Sequence, residues 1–108
     1  MGTKFYRDLA NATLEADGDW IDVTNSNKTY IPTKCGILAV DGYSEGKTSG
    51  LRLMVNNRTV DYSNCFGNSG FHMYAISFVP AGATSKWVFE AAGIYNAHVL
   101  FLPLKIKL

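Results

Sequence analysis

The sequence predicts an all-β domain in which seven or eight antiparallel strands form a sandwich or a barrel. Segments rich in alternating apolar residues are separated by Gly, Pro or Asn turns about every 8 to 12 residues. Residues 4–16 are the exception, because apolar side chains recur there at helical spacing. We therefore expect a short helical or irregular segment, or the end of a stem, in residues 1–18, followed by the β domain in residues 19–108.

Three strands are predicted in the first half of the chain. In "WIDVT", residues 20–24, Ile21 and Val23 alternate with the other side chains. The turn "NSN" separates this strand from the short "TYIP", residues 29–32. "CGILAVDGY", residues 35–43, is a long apolar strand, and the polar loop "SEGKTSG" follows it.

The second half of the chain begins with a clear hairpin. "LRLMVNN" places Leu51, Leu53 and Val55 on one face, and Asn56-Asn57 predicts a tight turn into "RTVDYSN" because Asn tolerates positive φ. The loop "CFGNSG" comes next. Three further strands, separated by "PAGA" and "GIYN", are predicted at residues 71–79, 84–92 and 97–107.

The composition restricts the class of protein. A chain of 108 residues is enough for one domain. Ten basic and nine acidic residues give a net charge of +1 without a basic stripe, so no nucleic-acid partner is predicted. Neither a signal peptide nor a membrane-spanning run is recognisable, and no membrane insertion is expected. The charged share, 18%, is below the usual quarter or so, which indicates extensive buried surface.

Two enzyme motifs overlap in residues 41–50, and both lack the context that they need. Gly42-Tyr43-Ser44-Glu45-Gly46 matches the G-x-S-x-G nucleophile elbow, but no helix is predicted after the serine. Gly46-Lys47-Thr48 matches the end of a phosphate-binding loop, but Asp41 stands where its first glycine is required. We therefore predict no catalytic residue, and the protein is not expected to be an enzyme.

No metal or cofactor is predicted either. His72 and His98 each stand alone in a strand, without an H-x-H or C-x-x-C partner. A histidine at an interface between copies would make assembly sensitive to pH. Cys35 and Cys65 are interpreted as ordinary small apolar residues, although a single disulfide in an oxidising compartment stays open.

The C-terminal stretch "HVLFLPLKIKL" is apolar on both faces. Because neighbouring side chains of a strand point to opposite faces, Val99 and Phe101 lie on one side, and Leu100 and Leu102 lie on the other. "GILAV" and "AISFV" have the same character. Strands of this kind are buried on both faces, yet one small sandwich has a single core. We therefore expect one sheet to face other copies of the chain in a symmetric homo-oligomer.

Four stretches, in order across residues 29–105, resemble one known kind of domain. "TYIPTKCGILAVDGY" is similar to a Y-x-x-P-x-x-G-x-x-x-V segment, and "GLRLMVNNRTV" to a small-L-x-L-x-V-N-G-x-x-V hairpin in which Asn57 replaces the usual glycine. "SFVPAGAT" resembles a V-P-x-G turn, and "LFLPLK" an F-x-P-L ending. Together they resemble the small trimeric jelly-roll heads of bacteriophage tail fibres and related appendages, which share the architecture of C1q and tumour-necrosis-factor heads.

The resemblance implies a jelly-roll homotrimer on the surface of a virion or another extracellular particle, with distal loops that contact a cell-surface glycan or protein. Three Gly-rich polar loops with aromatic residues, "YSEGKTSG", "NCFGNSG" and "GIYNA", suit such contacts. The candidate ligand-binding residues are Tyr43, Ser44, Lys47, Asn68, Tyr95 and Asn96. The candidate interface residues are Leu38, Ile76, Phe78, His98, Leu100 and Leu102.

Three function classes stay open. The first, our hypothesis, is a non-enzymatic receptor-binding or adhesion head whose three sites act by avidity. The second is a capsid or tail decoration protein, which binds no separate ligand. The third is a monomeric carbohydrate-binding module with an exposed aromatic face, which leaves the strands that are apolar on both faces unexplained.

Overall fold

The computed structural model describes residues 11–46, 48–67 and 69–107, and this part of the chain confirms the all-β prediction. Nine strands are present there, rather than the seven or eight expected. The described ranges contain no helix that is long and apolar enough to cross a bilayer. The strands are β1 (Thr13–Ala16), β2 (Ile21–Asp22), β3 (Thr29–Tyr30), β4 (Gly36–Ser44), β5 (Thr48–Val55), β6 (Arg58–Phe66), β7 (His72–Val79), β8 (Ser85–Ala91) and β9 (Ile94–Lys107).

Two antiparallel sheets form the jelly-roll sandwich. The first sheet has the strand order β1-β9-β4-β7, and β2 also pairs with β9. The second sheet has the order β3-β8-β5-β6. Most neighbours are far apart along the chain, as in the β4–β9 pair that aligns Ile37 with Leu102. The strands that are apolar on both faces, β4, β7 and β9, therefore lie side by side in the first sheet.

The core between the sheets follows the alternation of the strands. Leu51 and Leu53 of β5 point inward from the second sheet, and Val99 and Phe101 of β9 point inward from the first. The ring of Phe101 lies 5.2 Å from the ring of Tyr30 in a tilted arrangement, which is a favourable geometry for an aromatic pair. Each such side chain contributes about 1.5–3 kcal/mol to folding through burial. Cys35 and Cys65 are not joined by a disulfide bond, and Cys65 belongs to this core.

Gly36 allows close contact between β4 and β9. A Cβ atom at this position would overlap the Phe101 ring and the carbonyl oxygen of Leu102. The backbone of β9 and the Phe101 ring therefore occupy the space that a side chain at position 36 would need.

The hairpin between β5 and β6 has the predicted tight turn. Asn56 and Asn57 have φ angles of 50° and 65°, and the pair Val55–Arg58 closes the hairpin. The Asn56 side chain also accepts a 2.9 Å hydrogen bond from the backbone N–H of Thr84, which joins this turn to the start of β8. Two neighbouring residues with positive φ are typical of the type I′ turn, for which Asn is well suited.

The helical expectation for the N-terminal segment is wrong for its described part. Thr13–Ala16 is a strand that pairs with the last residues of β9, from Leu104 to Lys107. Four residues are too few to show an alternating pattern, so the tertiary pairing decides their conformation. The sandwich thus includes residues 13–16, and residues 1–10 of the predicted segment lie outside the described part of the chain.

A side chain of the second sheet binds one backbone N–H at the free edge of the first sheet. β7 is the last strand of its sheet, and the backbone N–H of Ile76 donates a 2.9 Å hydrogen bond to the Asp61 carboxylate of β6. An unpaired N–H at a sheet edge is a site where another strand can add. The Asp61 carboxylate occupies this site instead.

Candidate functional site

The outer face of the first sheet is largely apolar, and we call it the apolar face. It is formed by side chains of β4, β7 and β9 that point away from the core. Ile76 is 52% exposed and Phe78 is 48% exposed, and the smaller Ala39 lies between the flanking strands. The apolar face consists of Ile37, Ala39, Tyr74, Ile76, Phe78, Leu100 and Leu102.

Most of the predicted interface residues lie on or beside this face, and one does not. Ile76, Phe78, Leu100 and Leu102 belong to the apolar face, and the exposed His98 continues it along β9. Leu38 is 0% exposed and points into the core, so its side chain cannot contact a partner. In "GILAV" both alternate sets are apolar, so the sequence pattern alone does not distinguish the inner set from the outer one.

A groove of about 470 Å³ crosses the apolar face. Its floor is at Ala39, because this side chain is short compared with those on the two neighbouring strands. The walls come from β7 on one side and from β9 on the other, and its polar end is at Asp41. The outward side chains that line it are Ala39, Asp41, Tyr74, Ile76, His98 and Leu100.

Asp41 lies between two histidines at the polar end of the groove, and we call these three residues the Asp41 cluster. His72 Nε2 is 3.1 Å from Asp41 Oδ2, and His98 Nδ1 is 3.7 Å from Asp41 Oδ1. The strands β7, β4 and β9 are neighbours, which brings the three side chains onto one face. Among the described residues, no group of three or more acidic, histidine or cysteine side chains has the arrangement of a metal site.

Tyrosine rings surround the Asp41 cluster. Tyr43 stacks on His72 with ring centroids 5.0 Å apart, and Tyr95 approaches Tyr43 to 5.7 Å from the neighbouring strand. Tyr74 lies 5.9 Å from His72 on the same strand. Because Tyr43 is flanked by two rings, part of its aromatic surface is already occupied by contacts within the protein.

Three loops meet at one end of the sandwich, which we call the loop end. The β4–β5 loop contacts the β6–β7 loop through a 2.7 Å hydrogen bond from the N–H of Gly70 to the carbonyl oxygen of Ser44. It contacts the β8–β9 loop through a 2.9 Å hydrogen bond from the N–H of Glu45 to the carbonyl oxygen of Gly93. The three loops that the sequence indicated as contact surfaces are therefore neighbours.

The candidate ligand-binding residues have different positions at this end. Tyr43, Tyr95 and Asn96 are exposed there. Ser44 is fully buried, and its hydroxyl accepts a 3.0 Å hydrogen bond from the backbone N–H of Phe71, so it supports the loops and cannot contact a ligand. Lys47 and Asn68 lie outside the described residues.

Two exposed aromatic residues at the loop end were not among those candidates. Phe66 is 75% exposed and Phe71 is 57% exposed, and they flank the β6–β7 loop. Their neighbours in "CFGNSGF" include two glycines, and an apolar ring beside such a turn has little structure to cover it. The place of Phe66 and Phe71 beside these glycines was the signal in the sequence from which their exposure could have been predicted.

The geometry also excludes the nucleophile-elbow interpretation of Ser44. This residue ends β4, and the chain continues into β5 rather than into a helix. An elbow works by exposing the serine on a strand-to-helix turn. Here the serine hydroxyl is buried in a backbone hydrogen-bond network.

The outer face of the second sheet differs from the apolar face because it carries a network of charged and polar side chains around Arg52. Arg52 Nε donates a 3.1 Å hydrogen bond to Glu90, and its Nη1 donates one of 2.8 Å to Thr59. The same guanidinium lies 4.5 Å from the centroid of the Tyr62 ring. The hydrogen bond between Arg52 and Glu90 lowers the pKa of Glu90, and the same hydrogen bond raises the pKa of Arg52.

No protein-family model matches this sequence, and the search of curated proteins finds no match. The functional interpretation therefore depends on the site geometry and on the resemblance described above.

Proposed function

We propose that this chain is a non-enzymatic head domain that forms a homotrimer through its apolar face and binds a cell-surface glycan or protein at its loop end. The head belongs on a phage tail fibre or a phage-like particle. The observation that carries the proposal is that the middle of one outer face of the sandwich is apolar, while the other outer face carries the Arg52–Glu90 ion pair.

The size of the apolar face supports self-association. Tyr74, Ile76 and Phe78 are each about half exposed or more, and Leu100 adds to them. With roughly 200 Å² for a fully exposed large side chain, these four residues expose on the order of 400 Å². Apolar patches of a few hundred Å² often mark a contact surface. A stable interface takes about 800 Å² from each partner, so these side chains supply about half of it.

The shape of the face favours a second copy as its partner. In a cyclic homotrimer the contact is heterologous, so one patch of each protomer packs against a different patch of its neighbour. The apolar face spans three strands, and its β7 side and its β9 side supply two such patches. The groove over Ala39 accepts a large side chain, and the face itself offers Tyr74 and Phe78 as such side chains.

The position of the loop end supports a role in binding. β9 begins at this end with Ile94 and runs for 14 residues to Lys107, where β1 pairs with it. A stem that enters through the residues before β1 would therefore join at the opposite end. Exposed Phe66, Phe71 and Tyr95 then lie away from such a stem, where a receptor is accessible.

The first experiment is the mass in solution, measured by light scattering after gel filtration. Three copies of the 11.9 kDa chain give about 36 kDa. A trimer supports the proposal, and a stable monomer overturns it in favour of a carbohydrate-binding module.

A second experiment separates a binding head from a decoration protein. Binding of the trimer to host cells and to immobilised glycans is compared between the wild type and Phe71→Ala at the loop end. Arg58→Ala, at the hairpin on the opposite end, is the matched control. Loss of binding in Phe71→Ala alone supports the head, whereas a trimer that binds neither cells nor glycans indicates decoration.

A further inference from the structure

Asp41 is a charged residue within a surface that is otherwise suited to burial. On the outer side of β4, it follows Ile37 and Ala39, and it lines the same groove as Ile76 and Leu100. Any partner that covers the groove therefore also covers the Asp41 carboxylate or comes close to it.

One oxygen of this carboxylate is already shielded from water. Asp41 Oδ1 has no accessible surface and no hydrogen-bond partner. His98 Nδ1, at 3.7 Å, is too far for a hydrogen bond but near enough for an ion pair. Oδ2 is 3.1 Å from His72 Nε2, so each carboxylate oxygen faces an imidazole.

The other titratable groups near the cluster are few. Tyr43 and Tyr74 contact His72, and Tyr95 lies beyond Tyr43. On the β2 side of β9, Asp22 is close enough for His98 to affect it. Hydrogen bonds from Thr24 lower the pKa of Asp22, and the charge of His98 contributes less.

The charge of this region changes between neutral and mildly acidic pH. With both imidazoles neutral, Asp22 and Asp41 give a charge of −2, whereas protonation of His72 and His98 adds +2 and brings the sum to zero. Imidazole is the side chain whose charge ordinarily changes in the physiological range of pH.

Burial of the apolar face against other copies favours the protonated form. A carboxylate that is buried beside neutral imidazoles loses its hydration without gaining an opposite charge. A carboxylate between two imidazolium ions is paired on both oxygens. Because the assembly favours the protonated imidazoles, protons are taken up when the copies associate.

We propose that self-association through the apolar face is tightened by acid, because His72 and His98 become protonated on either side of Asp41 when that face is covered. This inference rests on the proposed homo-oligomer. The Asp41 cluster is then a pH-sensitive element of the interface.

The test is the dissociation constant of the assembly, measured by sedimentation equilibrium at about pH 7.5 and about pH 5.5 in the same salt. Uptake of one proton in an association step changes its constant by up to about tenfold per pH unit, so we expect at least about tenfold tighter association at the lower pH. In Asp41→Asn the sign reverses, because the imidazolium ions then lack their anion. In the double variant His72→Gln, His98→Gln the pH dependence is lost.

Glu90→Gln is the matched control, since it removes a carboxylate from the other outer face. Its pH response equals that of the wild type. Equal association of the wild type at both pH values overturns this inference and leaves the proposed homo-oligomer intact. A wild-type monomer at both pH values overturns both. An unchanged acid response in the double histidine variant shows that other groups take up the protons, and it also overturns the inference.

Discussion

The two outer faces of this sandwich have the same backbone pattern but different chemistry. On the second sheet, the Arg52 guanidinium donates hydrogen bonds to Glu90 and Thr59 and lies over the Tyr62 ring. Such a polar network is suited to contact with water. On the first sheet, the outward positions of β7 and β9 carry Ile76, Phe78 and Leu100. Charged groups lie at the margin of this face, in the Asp41 cluster and at Asp22 of β2. The exposed large apolar side chains Tyr74, Ile76 and Phe78 are thus gathered on one face, whereas the outward positions of the second sheet include the Arg52–Glu90 ion pair.

This difference separates two kinds of apolar residue in one strand. Phe101 stabilises the fold because its side chain is in the core, whereas Leu102 lies on the apolar face. The two residues are neighbours in β9, and substitution of each one measures how much its side chain contributes to the stability of the fold.

The largest expected effect is on folding, from neighbouring substitutions in β9. Phe101→Ala removes a ring that packs against Tyr30, and we expect a loss of about 3–5 kcal/mol in the free energy of unfolding. Leu102→Ala, its matched control, should cost much less in the unfolding of a monomer because its side chain is only half-buried. Urea denaturation at low protein concentration checks this, and equal losses would contradict the assignment of the two faces.

The next effect is on assembly, from the same substitution on each outer face. Ile76→Glu places a charge in the middle of the apolar face, and we expect a folded monomer, since a buried unpaired carboxylate is costly. Val88→Glu makes the same change on the second sheet, beside Arg52, and the assembly should persist. Light scattering gives the mass and circular dichroism checks the fold. Dissociation of both variants would mean that the second face also takes part in the interface.

The smallest effect concerns the ion pair of the second face. Glu90→Gln should lower the melting temperature slightly at neutral pH and leave the assembly unchanged. Because the pKa of Glu90 is lowered in the folded protein, its contribution is present above the unfolded pKa of about 4.3 and is lost as the pH falls through the folded value. The melting temperatures of variant and wild type should therefore converge in acid. A constant difference down to about pH 3 would show that the charge is not the cause.

Alternation was sufficient to predict the strands whose two faces differ. Leu51, Leu53 and Val55 of β5 were expected on one face and are buried, and the Asn56-Asn57 turn follows from the tolerance of Asn for positive φ. The β1 strand was missed because its four residues are held by pairing with β9, and a distant partner leaves no local pattern.

The candidate site was less accessible to sequence reasoning. In β4 every position from 36 to 40 is apolar, so Leu38 could not be separated from Ile37 and Ala39 without the register against β7 and β9. Ser44 was expected in a contact loop, yet its hydrogen bond with Phe71 depends on a loop that is 27 residues away. The three loops lie together, and so do the three residues of the Asp41 cluster, because of the order of the strands in the sheets. The hydrophobic periodicity of a single sequence does not reveal that order.

The hydrogen bond from Ile76 to Asp61 also acts against one mode of self-association, the addition of a strand at the β7 edge. Sheets that grow by adding strands at an edge have no natural end, and they produce fibrils. With that backbone position of β7 already occupied, strand addition at this edge is disfavoured, and contacts through a face remain. Face contacts around a symmetry axis use up their own surface and stop at a fixed number of copies. A single carboxylate at a sheet edge thus disfavours open-ended growth by strand addition at that edge.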